Sequence, residues 1–598
     1  MATAKGNPLK DLSVISLSGR SCQNGVRLSR AVRLGLTVCL LALATLAVAY
    51  EPAAVDSSLQ VGEVRLRQDD IFTDEEVATA TGLNGLLRRS MNSFHADTRP
   101  WVIRKELLFD TGQVYRPDLL AESERNLRGL GFLNNVAVVA TDTTADGRVN
   151  VDVRTRETWT LSTEFSFALA GDGEVRWVTS VADKNFLGYG FELRGVAGHE
   201  LDADYGRAYV KLNRSFGTPL TLLMSLDERS DGHERNLRVY LPFRADDQWW
   251  SAGVQLWDQR RNVRWYLSNG GSAGADPGSE ERLYTLLPRE KTGMQLDIMR
   301  RVGRRESRRV WRVGAGLGIM SLDYRVAGSG QVLSDGRVQD LSCLAAPGGA
   351  MAREAGTTVW PYLILSSKSR RWVKTRFLLR YGNQEDVLLD PSFALMAGPA
   401  GSMVGSTSGD ANRVRMEGEF QNWSRWGRSF LVQRLSAEAV LGNSRDRSHR
   451  LDAVLGTHLR IGPEVQPFTL KTYVEGIHSE GLRGDMLPVL GLDRGLRSLG
   501  LDGMAGPRLL RWSAELGRGI GWSPLDLARL GWGLYYGGGI AQWADEDRDL
   551  SDARHEAGVG LRMGFTRSGN SPVARVDFTR DLSGSEGWVL TTVTGGYF

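Results

Sequence analysis

Arg497 and Glu515 are the residues whose types and placement best suit a chemical role, that of an ion pair inside a protein. Arg497 lies in a polar, Gly-rich segment, residues 491–507, and Glu515 lies in the run that follows. In that run Leu510, Trp512, Ala514 and Leu516 alternate with Arg511, Ser513 and Glu515. Period-two alternation is typical of a β-strand with one apolar and one polar face. A charge on the polar face and an arginine in the preceding segment predict a loop folded into a lumen.

Other chemistry finds little support in the sequence. The seven histidines are scattered, and none stands in an H-E-x-x-H or similar ligand pair. Of the three cysteines, Cys22 and Cys39 precede residue 50, which leaves Cys343 and excludes a disulfide or a multi-cysteine metal site in a processed chain. No Ser/His or Asp/His constellation stands out. We therefore expect no enzymatic activity, no metal and no cofactor.

The composition favours a membrane β-barrel over a large soluble enzyme. The chain has 598 residues, 70 glycines and 17 tryptophans, and past residue 50 it has no apolar run long enough for a membrane helix. The strands of a barrel hide their hydrophobicity in every second residue, so such a run is not needed. A net charge of +4 gives no reason to expect nucleic acid as a partner.

Residues 1–49 have the features of a secretory signal peptide with a long n-region. Arg27, Arg30 and Arg33 precede an apolar run, residues 34–48, which ends in Ala47-Val48-Ala49. The run is short for a transmembrane anchor, and its small-residue end favours cleavage after Ala49.

Residues 50–158 predict a small α/β domain. An opening strand around Val61 is followed by a helix after Thr73, a second strand over 102–109, and a helix with Pro117 in its first turn. Two strands flank the turn at Asp146-Gly147. The segment Trp101–Val138, WVIRKELLFDTGQVYRPDLLAESERNLRGLGFLNNVAV, resembles the polypeptide-transport-associated (POTRA) domain that precedes outer-membrane assembly barrels. The resemblance implies a periplasmic location for this domain.

Residues 159–598 predict the barrel. In a late hairpin Val559, Leu561, Met563 and Phe565 alternate with Gly558, Gly560, Arg562 and Gly564, and across the turn Ala574, Val576 and Phe578 alternate with Arg575, Asp577 and Thr579. One charged and one hydrocarbon face fit a wet lumen inside a lipid exterior. The chain closes on Gly595-Gly596-Tyr597-Phe598, and a terminal phenylalanine resembles the recognition signal of bacterial outer-membrane barrels. The two glycines are expected to weaken the closing strand.

The segment Gly491–Leu499 resembles the lid-loop signature of the BamA/TamA outer-membrane assembly family, apolar-Arg-Gly-aromatic, with Arg497 at the arginine position. The resemblance implies sixteen strands and a lumenal lock in which the arginine meets a glutamate, here Glu515, and an aspartate on the next strand. The chain departs from the signature at Ser498 and Leu499, and Gly537 stands where the aspartate is expected. An exposed loop arginine is the simpler alternative for Arg497.

These features predict a bacterial outer-membrane protein that inserts or translocates polypeptides by opening between its first and last strands. The expected partners are outer-membrane lipids, nascent or secreted polypeptides, and accessory proteins of the periplasm or lipoprotein class. A passive channel or secretion pore on the same fold is the first alternative, which the altered lid motif supports, and an outer-membrane hydrolase is the weaker one.

Overall fold

The computed structural model describes most of the chain after residue 58. The described residues are 59–169, 175–200, 202–267, 284–305, 307–325, 331–332, 338–339, 355–376, 378, 384–407, 412–442, 447–463, 466–482, 484–491, 495–499, 503–543, 549–569, 573–584 and 588–594. The predicted signal peptide lies outside them.

The N-terminal domain packs helices on one face of a three-stranded sheet. Its elements in chain order are β1 (Gln60–Asp69), α1 (Asp74–Ala78), α2 (Gly82–Phe94), α3 (Pro100–Glu106), α4 (Pro117–Gly129), β2 (Leu133–Thr143) and β3 (Arg148–Glu157). The sheet order is β1–β3–β2, with β1 parallel and β2 antiparallel to β3. Val61, Ile103, Leu127, Phe132 and Val151 are fully buried in one core, and each such side chain contributes about 1.5–3 kcal/mol of hydrophobic stabilisation.

One predicted element of this domain is wrong. Residues 102–109 were expected to form a strand, but Pro100–Glu106 is a helix. Pro100 supplies the fixed φ that suits a first helical turn, and the buried residues Val102, Ile103 and Glu106 lie on one side of that helix. The predicted helix with Pro117 in its first turn is present and ends at Gly129.

After Glu157 the described residues form strands, connected by turns, loops and short 3-10 helices. The strands are β4 (Leu161–Leu169), β5 (Val175–Asp183), β6 (Phe191–Glu200), β7 (Ala203–Leu212), β8 (Thr221–Arg229), β9 (Gly232–Leu241), β10 (Trp250–Tyr266), β11 (Tyr284–Val302), β12 (Arg309–Tyr324), β13 (Gln331–Val332), β14 (Val338–Gln339), β15 (Gly356–Ser369), β16 (Trp372–Arg376), β17 (Gln384–Leu388), β18 (Ser392–Pro399), β19 (Val414–Trp426), β20 (Ser429–Leu441), β21 (Ser448–Ile461), β22 (Phe468–Glu480), β23 (Val489–Leu490), β24 (Met504–Ala505), β25 (Arg508–Gly519), β26 (Ala528–Gln542), β27 (Arg554–Phe565), β28 (Ala574–Asp581) and β29 (Trp588–Thr594).

Twenty of these strands form one closed antiparallel barrel, in which β29 pairs with β4. The predicted number of sixteen is therefore wrong, although the fold class is confirmed. The remaining strands form three two-stranded sheets, β13–β14, β16–β17 and β23–β24. One end of the barrel lies on the side of the N-terminal domain, and the other end lies away from it.

The outer wall of the barrel is apolar, as the alternation predicted. Exposed residues such as Leu455, Val474, Leu534, Val559 and Phe578 share the outward parity of their strands. The opposite parity, which faces the lumen, carries charged residues such as Glu515, Arg562 and Asp577. Among the described residues, no helix is both long and apolar enough to cross a membrane.

Candidate functional site: lid loop, lock cluster and seam

Residues 484–507, which we call the lid loop, connect β22 to β25 at the barrel end away from the N-terminal domain. Its described residues, 484–491, 495–499 and 503–507, lie against the inside of the barrel wall. Leu490, Leu496 and Leu499 pack in an apolar cluster with Leu509 and Ile540 of the wall. The predicted loop in the lumen is thus present, and Leu499, which replaces the aromatic residue of the family signature, is buried in that cluster.

The start of the lid loop is fixed to the wall by a second set of polar contacts. The Asp485 carboxylate accepts a hydrogen bond from the Arg289 guanidinium at 2.8 Å and from the Tyr324 hydroxyl at 3.0 Å. Its side chain has no exposed surface. At the other end of the loop, the indole N–H of Trp543 donates to the Ala505 carbonyl at 2.7 Å. Both ends of the loop are therefore held by contacts that do not involve Arg497.

Arg497 points into the lumen and is 5% exposed. Its Nη1 lies 3.3 Å from Oδ2 of Asp577 on β28, and its Nη2 lies 3.9 Å from Oε2 of Glu515 on β25. The guanidinium carbon stands 3.6 Å from the centroid of the Tyr535 ring, a cation–π distance. The structure therefore places Arg497 and Glu515 near each other, with Asp577 as the closer acidic neighbour.

Glu515 is held more tightly by a second arginine. Arg562 of β27 donates from Nε to Glu515 Oε1 at 3.0 Å and from Nη2 to Oε2 at 2.9 Å, and its Nη1 donates to Asp577. Two arginines and two carboxylates thus form one cluster with no net charge. We call Arg497, Glu515, Arg562 and Asp577 the lock cluster. Buried charges that are paired and hydrogen-bonded avoid most of the cost of dehydration.

Gly537 supplies no carboxylate, and the second acidic neighbour of Arg497 is instead Asp577, on β28. Asp577 and Arg562 were missed as site residues, although the alternation in the late hairpin already placed both on the lumenal face. What the sequence does not give is the register across the four strands from β25 to β28. In that register Glu515 faces Tyr535 of β26, Gly533 faces Gly560 of β27, and Gly560 faces Asp577.

Glycines give the lock cluster its space. A Cβ at Gly560 would lie 2.0 Å from Oδ1 of Asp577, and one at Gly533 would lie 3.0 Å from Nη2 of Arg562. A Cβ at Gly537 would meet only ordinary contacts, the nearest at 3.4 Å. Beside it the Glu556 carboxylate accepts the backbone N–H of Ser498 at 2.9 Å. Glu556 thus anchors the lid backbone next to the position of the missing aspartate.

The junction between β29 and β4, which we call the seam, is the shortest pairing in the barrel among the described residues. Its register contains two residue pairs, Thr591↔Ala168 and Thr592↔Phe167. The neighbouring junctions contain seven pairs for β28–β29 and nine for β4–β5. Thr592 supports the seam further, because its hydroxyl accepts the Phe167 N–H at 3.1 Å. The predicted seam residues Gly595, Gly596, Tyr597 and Phe598 lie outside the described residues.

The N-terminal domain is joined to the near end of the barrel by buried ion pairs. Glu106 of α3 is 1% exposed and contacts Arg214 at 3.1 Å and Arg244 at 2.8 Å. Glu122 of α4 accepts the backbone N–H of Asp246 at 2.9 Å. Burial and the nearby charge of Asp246 raise the pKa of Glu122 to about 7. Further pairs are Arg116–Asp247, Arg128–Asp386, Glu124–Lys374, Arg88–Asp526 and Glu76–Arg567.

Comparison with known families identifies the N-terminal domain. Residues 96–158 match the POTRA family, described as surface antigen variable number repeat. These residues are part of a POTRA domain. A POTRA domain before a closed barrel with an apolar exterior is the architecture that the resemblance to the BamA/TamA family implied. The barrel lies in the outer membrane and the POTRA domain in the periplasm.

Solved barrels show distant likeness to the whole chain. BamA from Haemophilus ducreyi lacking POTRA domains 1–3 is 12% identical, with a TM-score of 0.38 over 89% of this chain and 84% of that one. CdiB from Acinetobacter baumannii is 12% identical, with a TM-score of 0.39 over 94% and 96%. CdiB from Escherichia coli is 12% identical, with a TM-score of 0.40 over 95% and 99%. No curated protein matches the sequence significantly.

The part of the chain that the structure describes contains no group of three His, Cys, Asp or Glu residues placed to hold a metal ion. The described site consists of a loop held inside the lumen, a short seam, and a POTRA domain bound at the periplasmic end of the barrel.

Proposed function

We propose that the protein inserts or translocates polypeptides at the outer membrane by opening the seam. The observation that carries the proposal is the seam register of two residue pairs. A barrel normally leaves no strand edges. Among the described residues, a seam of two pairs has few backbone hydrogen bonds that must break for it to open.

Unpaired strand edges in a bilayer are unstable, and this instability favours a client. Each unsatisfied backbone group in the hydrocarbon region costs several kcal/mol. Pairing of β4 or β29 with an incoming strand therefore stabilises an opened seam. Because such pairing recognises backbone, it demands little of the client's side chains. The edge strand β2 of the POTRA sheet offers a first pairing site in the periplasm.

The lock cluster has a supporting role in this proposal. It joins the lid loop to β25, β27 and β28, which lead directly to the seam strand β29. While the cluster is intact, the wall next to the seam keeps one curvature. Release of Arg497 would free the wall to bend as the seam parts.

A disulfide across the seam tests the proposal. Phe167 and Thr592 are register partners, and such cross-strand pairs have Cα atoms about 4.5–5.5 Å apart, within reach of a disulfide. The variant is Phe167→Cys with Thr592→Cys in a Cys343→Ser background. Phe578→Cys with Leu590→Cys is the matched control, because this lipid-facing pair joins β28 to β29, which need not separate.

Oxidation of the seam variant should abolish client insertion in cells and in liposomes, and reductant should restore it. The oxidised control should remain active. If the oxidised seam variant inserts clients as well as the control and still conducts ions, the assembly function is wrong and a passive channel replaces it.

A further inference from the structure

The strands β16 and β17 form a hairpin at the periplasmic mouth of the lumen. The hairpin lies in the connection between β15 and β18, on the POTRA side of the barrel. Leu378, Val387 and Leu389 are buried in a cluster with Phe430, whose side chain has the lumenal parity of β20. Trp423 of β19, the register partner of Val432, packs on the same cluster. The hairpin is therefore anchored against the inner wall.

The same hairpin contacts the POTRA domain. Asp386 of β17 accepts two hydrogen bonds from Arg128 of α4, at 2.7 and 2.8 Å. Lys374 of β16 pairs with Glu124 of the same helix. The hairpin thus lies between the POTRA domain and the lumen wall, on the route that a polypeptide would take from one to the other.

A strongly basic cavity of about 610 Å³ lies beside this hairpin. Ten described residues line it, and six of them are cationic while none is acidic. The six are Lys374, Arg376, Arg425, Arg428, Arg460 and Arg529. They come from the hairpin, from β21 and β26, and from the end of β19 with its turn. A site assembled from separate elements differs from a charged run along one solvated strand.

Three of these cations are held in place by hydrogen bonds to neighbouring protein groups. Arg425 donates to the Gly427 carbonyl at 2.7 Å, Arg428 to the Gly462 carbonyl at 2.6 Å, and Arg460 to the Thr375 hydroxyl at 3.3 Å. These acceptors are all uncharged. Such positioned guanidinium groups suit carboxylates, which they bind with strong charge-assisted hydrogen bonds.

The hairpin also presents a strand edge to the cavity. Three consecutive residues of β16, Lys374 to Arg376, line the cavity. Within the described part of the chain, β16 has β17 as its one sheet neighbour. Backbone N–H and C=O groups on the other edge of β16 can therefore accept another strand. An edge of this kind binds an extended polypeptide, whereas a phosphate or a lipid headgroup would use the charges alone.

We propose that this cavity binds an extended, acidic segment of a polypeptide, which pairs with the outer edge of β16 and places its carboxylates among the cationic side chains. The inference rests on the proposed function in that the ligand is a client polypeptide. Lys374 already pairs with Glu124, so on this face of β16 an acidic residue of the client would meet Arg376.

Peptide binding to the full-length protein in detergent tests the proposal. The probe is a fluorescently labelled peptide in which Asp alternates with Val, compared with the same peptide carrying Asn. Fluorescence anisotropy should show clear binding of the Asp peptide and weak binding of the Asn peptide. Two further peptides carry N-methyl groups on alternate backbone nitrogens. One peptide blocks the N–H groups on one edge of the extended chain, and the other blocks those on the opposite edge. One should lose binding because it cannot pair with β16, and the other should keep it.

A charge-matched pair of variants locates the site. Arg425→Gln with Arg428→Gln should weaken binding of the Asp peptide about ten-fold, the effect of removing two partly exposed charges. Arg304→Gln with Arg308→Gln removes two exposed arginines from the periplasmic turn between β11 and β12, and it should leave affinity unchanged.

Three results would overturn the proposal. The first is equal binding of the Asp and Asn peptides, and the second is equal binding of both N-methylated peptides. The third is displacement of the probe by inorganic phosphate or anionic lipid vesicles, together with probe binding that does not depend on pairing with the edge of β16. That result would make the cavity a phosphate site. The oxidised Phe167→Cys/Thr592→Cys protein should bind the probe normally, so a failure here is distinguishable from a failure of seam opening.

Discussion

Replacing Asp577 with Asn should release the lid loop from the barrel wall. Asp577 is 1% exposed and contacts both arginines of the lock cluster, with 3.3 Å to Arg497. At that separation and an effective dielectric constant of about 20, the attraction to Arg497 is roughly 5 kcal/mol before dehydration is subtracted. Removing one partner of a buried pair costs about 3–5 kcal/mol. Asn keeps the shape and one acceptor, so we expect about 3 kcal/mol.

The lid equilibrium can be measured by cysteine labelling. In a Cys343→Ser background, Leu499→Cys places a thiol in the apolar cluster under the lid, where it reacts with a maleimide only when the lid opens. A loss of about 3 kcal/mol should accelerate labelling about 100-fold. Asp581→Asn is the matched control, because Asp581 is also buried on the lumenal face of β28 but pairs with Arg554 at 3.4 Å. It should leave the labelling rate nearly unchanged.

A double-mutant cycle then tests the ion-pair argument itself. Asp577→Asn leaves the cluster with one excess positive charge, and Arg497→Gln leaves it with one excess negative charge. Combining them restores neutrality, so the double variant should label more slowly than the two single effects predict, by about 1–3 kcal/mol of coupling. Additive effects, or an equal acceleration by the Asp581→Asn control, would refute the lock as described.

Three further predictions concern the space around the lock cluster and the POTRA interface. Gly560→Ala should lower the thermal midpoint of the folded barrel on heated gels, because its Cβ would lie 2.0 Å from a lock carboxylate, whereas Gly476→Ala has no atom within 4 Å and should not. Burial raises the pKa of Glu122 from 4.5 to about 7. The docked domain therefore favours the protonated acid. Docking should weaken as pH rises between those two values and stay level above them. Hydrogen exchange of residues 117–129 measures docking, and Glu122→Gln should remove its pH dependence. Glu106→Gln leaves two arginines without their buried carboxylate and should loosen POTRA docking by about 3 kcal/mol in the same experiment, while the half-exposed Asp118→Asn should have little effect.

The alternation of side chains predicted most of the barrel wall, because lipid and lumen impose opposite chemistry on alternate residues. It placed Glu515, Arg562 and Asp577 on the lumenal side before any pairing was known. It could not give the pairing register, on which the meeting of Asp577 with Arg497 depends. That register is set by all the strands between β25 and β28 together.

The strand number was beyond the sequence for a related reason. Chain length limits the total number of residues in strands and connections. It does not determine how many of them belong to strands when the connections vary in length. Barrel strands here run from seven residues in β29 to 19 in β11. The helix at Pro100–Glu106 was misassigned because a short apolar run fits either period, and only packing on the POTRA core decides between them.

The tether between the POTRA domain and the barrel has a mechanical consequence. β3 ends at Glu157 and β4 begins at Leu161, so three residues, spanning about 10 Å when extended, join the domain to one edge of the seam. In the middle of that tether, the backbone N–H of Trp159 donates to the Arg567 carbonyl in the β27–β28 turn at 2.7 Å. A short tether with a fixed point along it has little slack. Rotation of the domain is therefore transmitted to β4, and the hydrogen bond of Trp159 is the pivot.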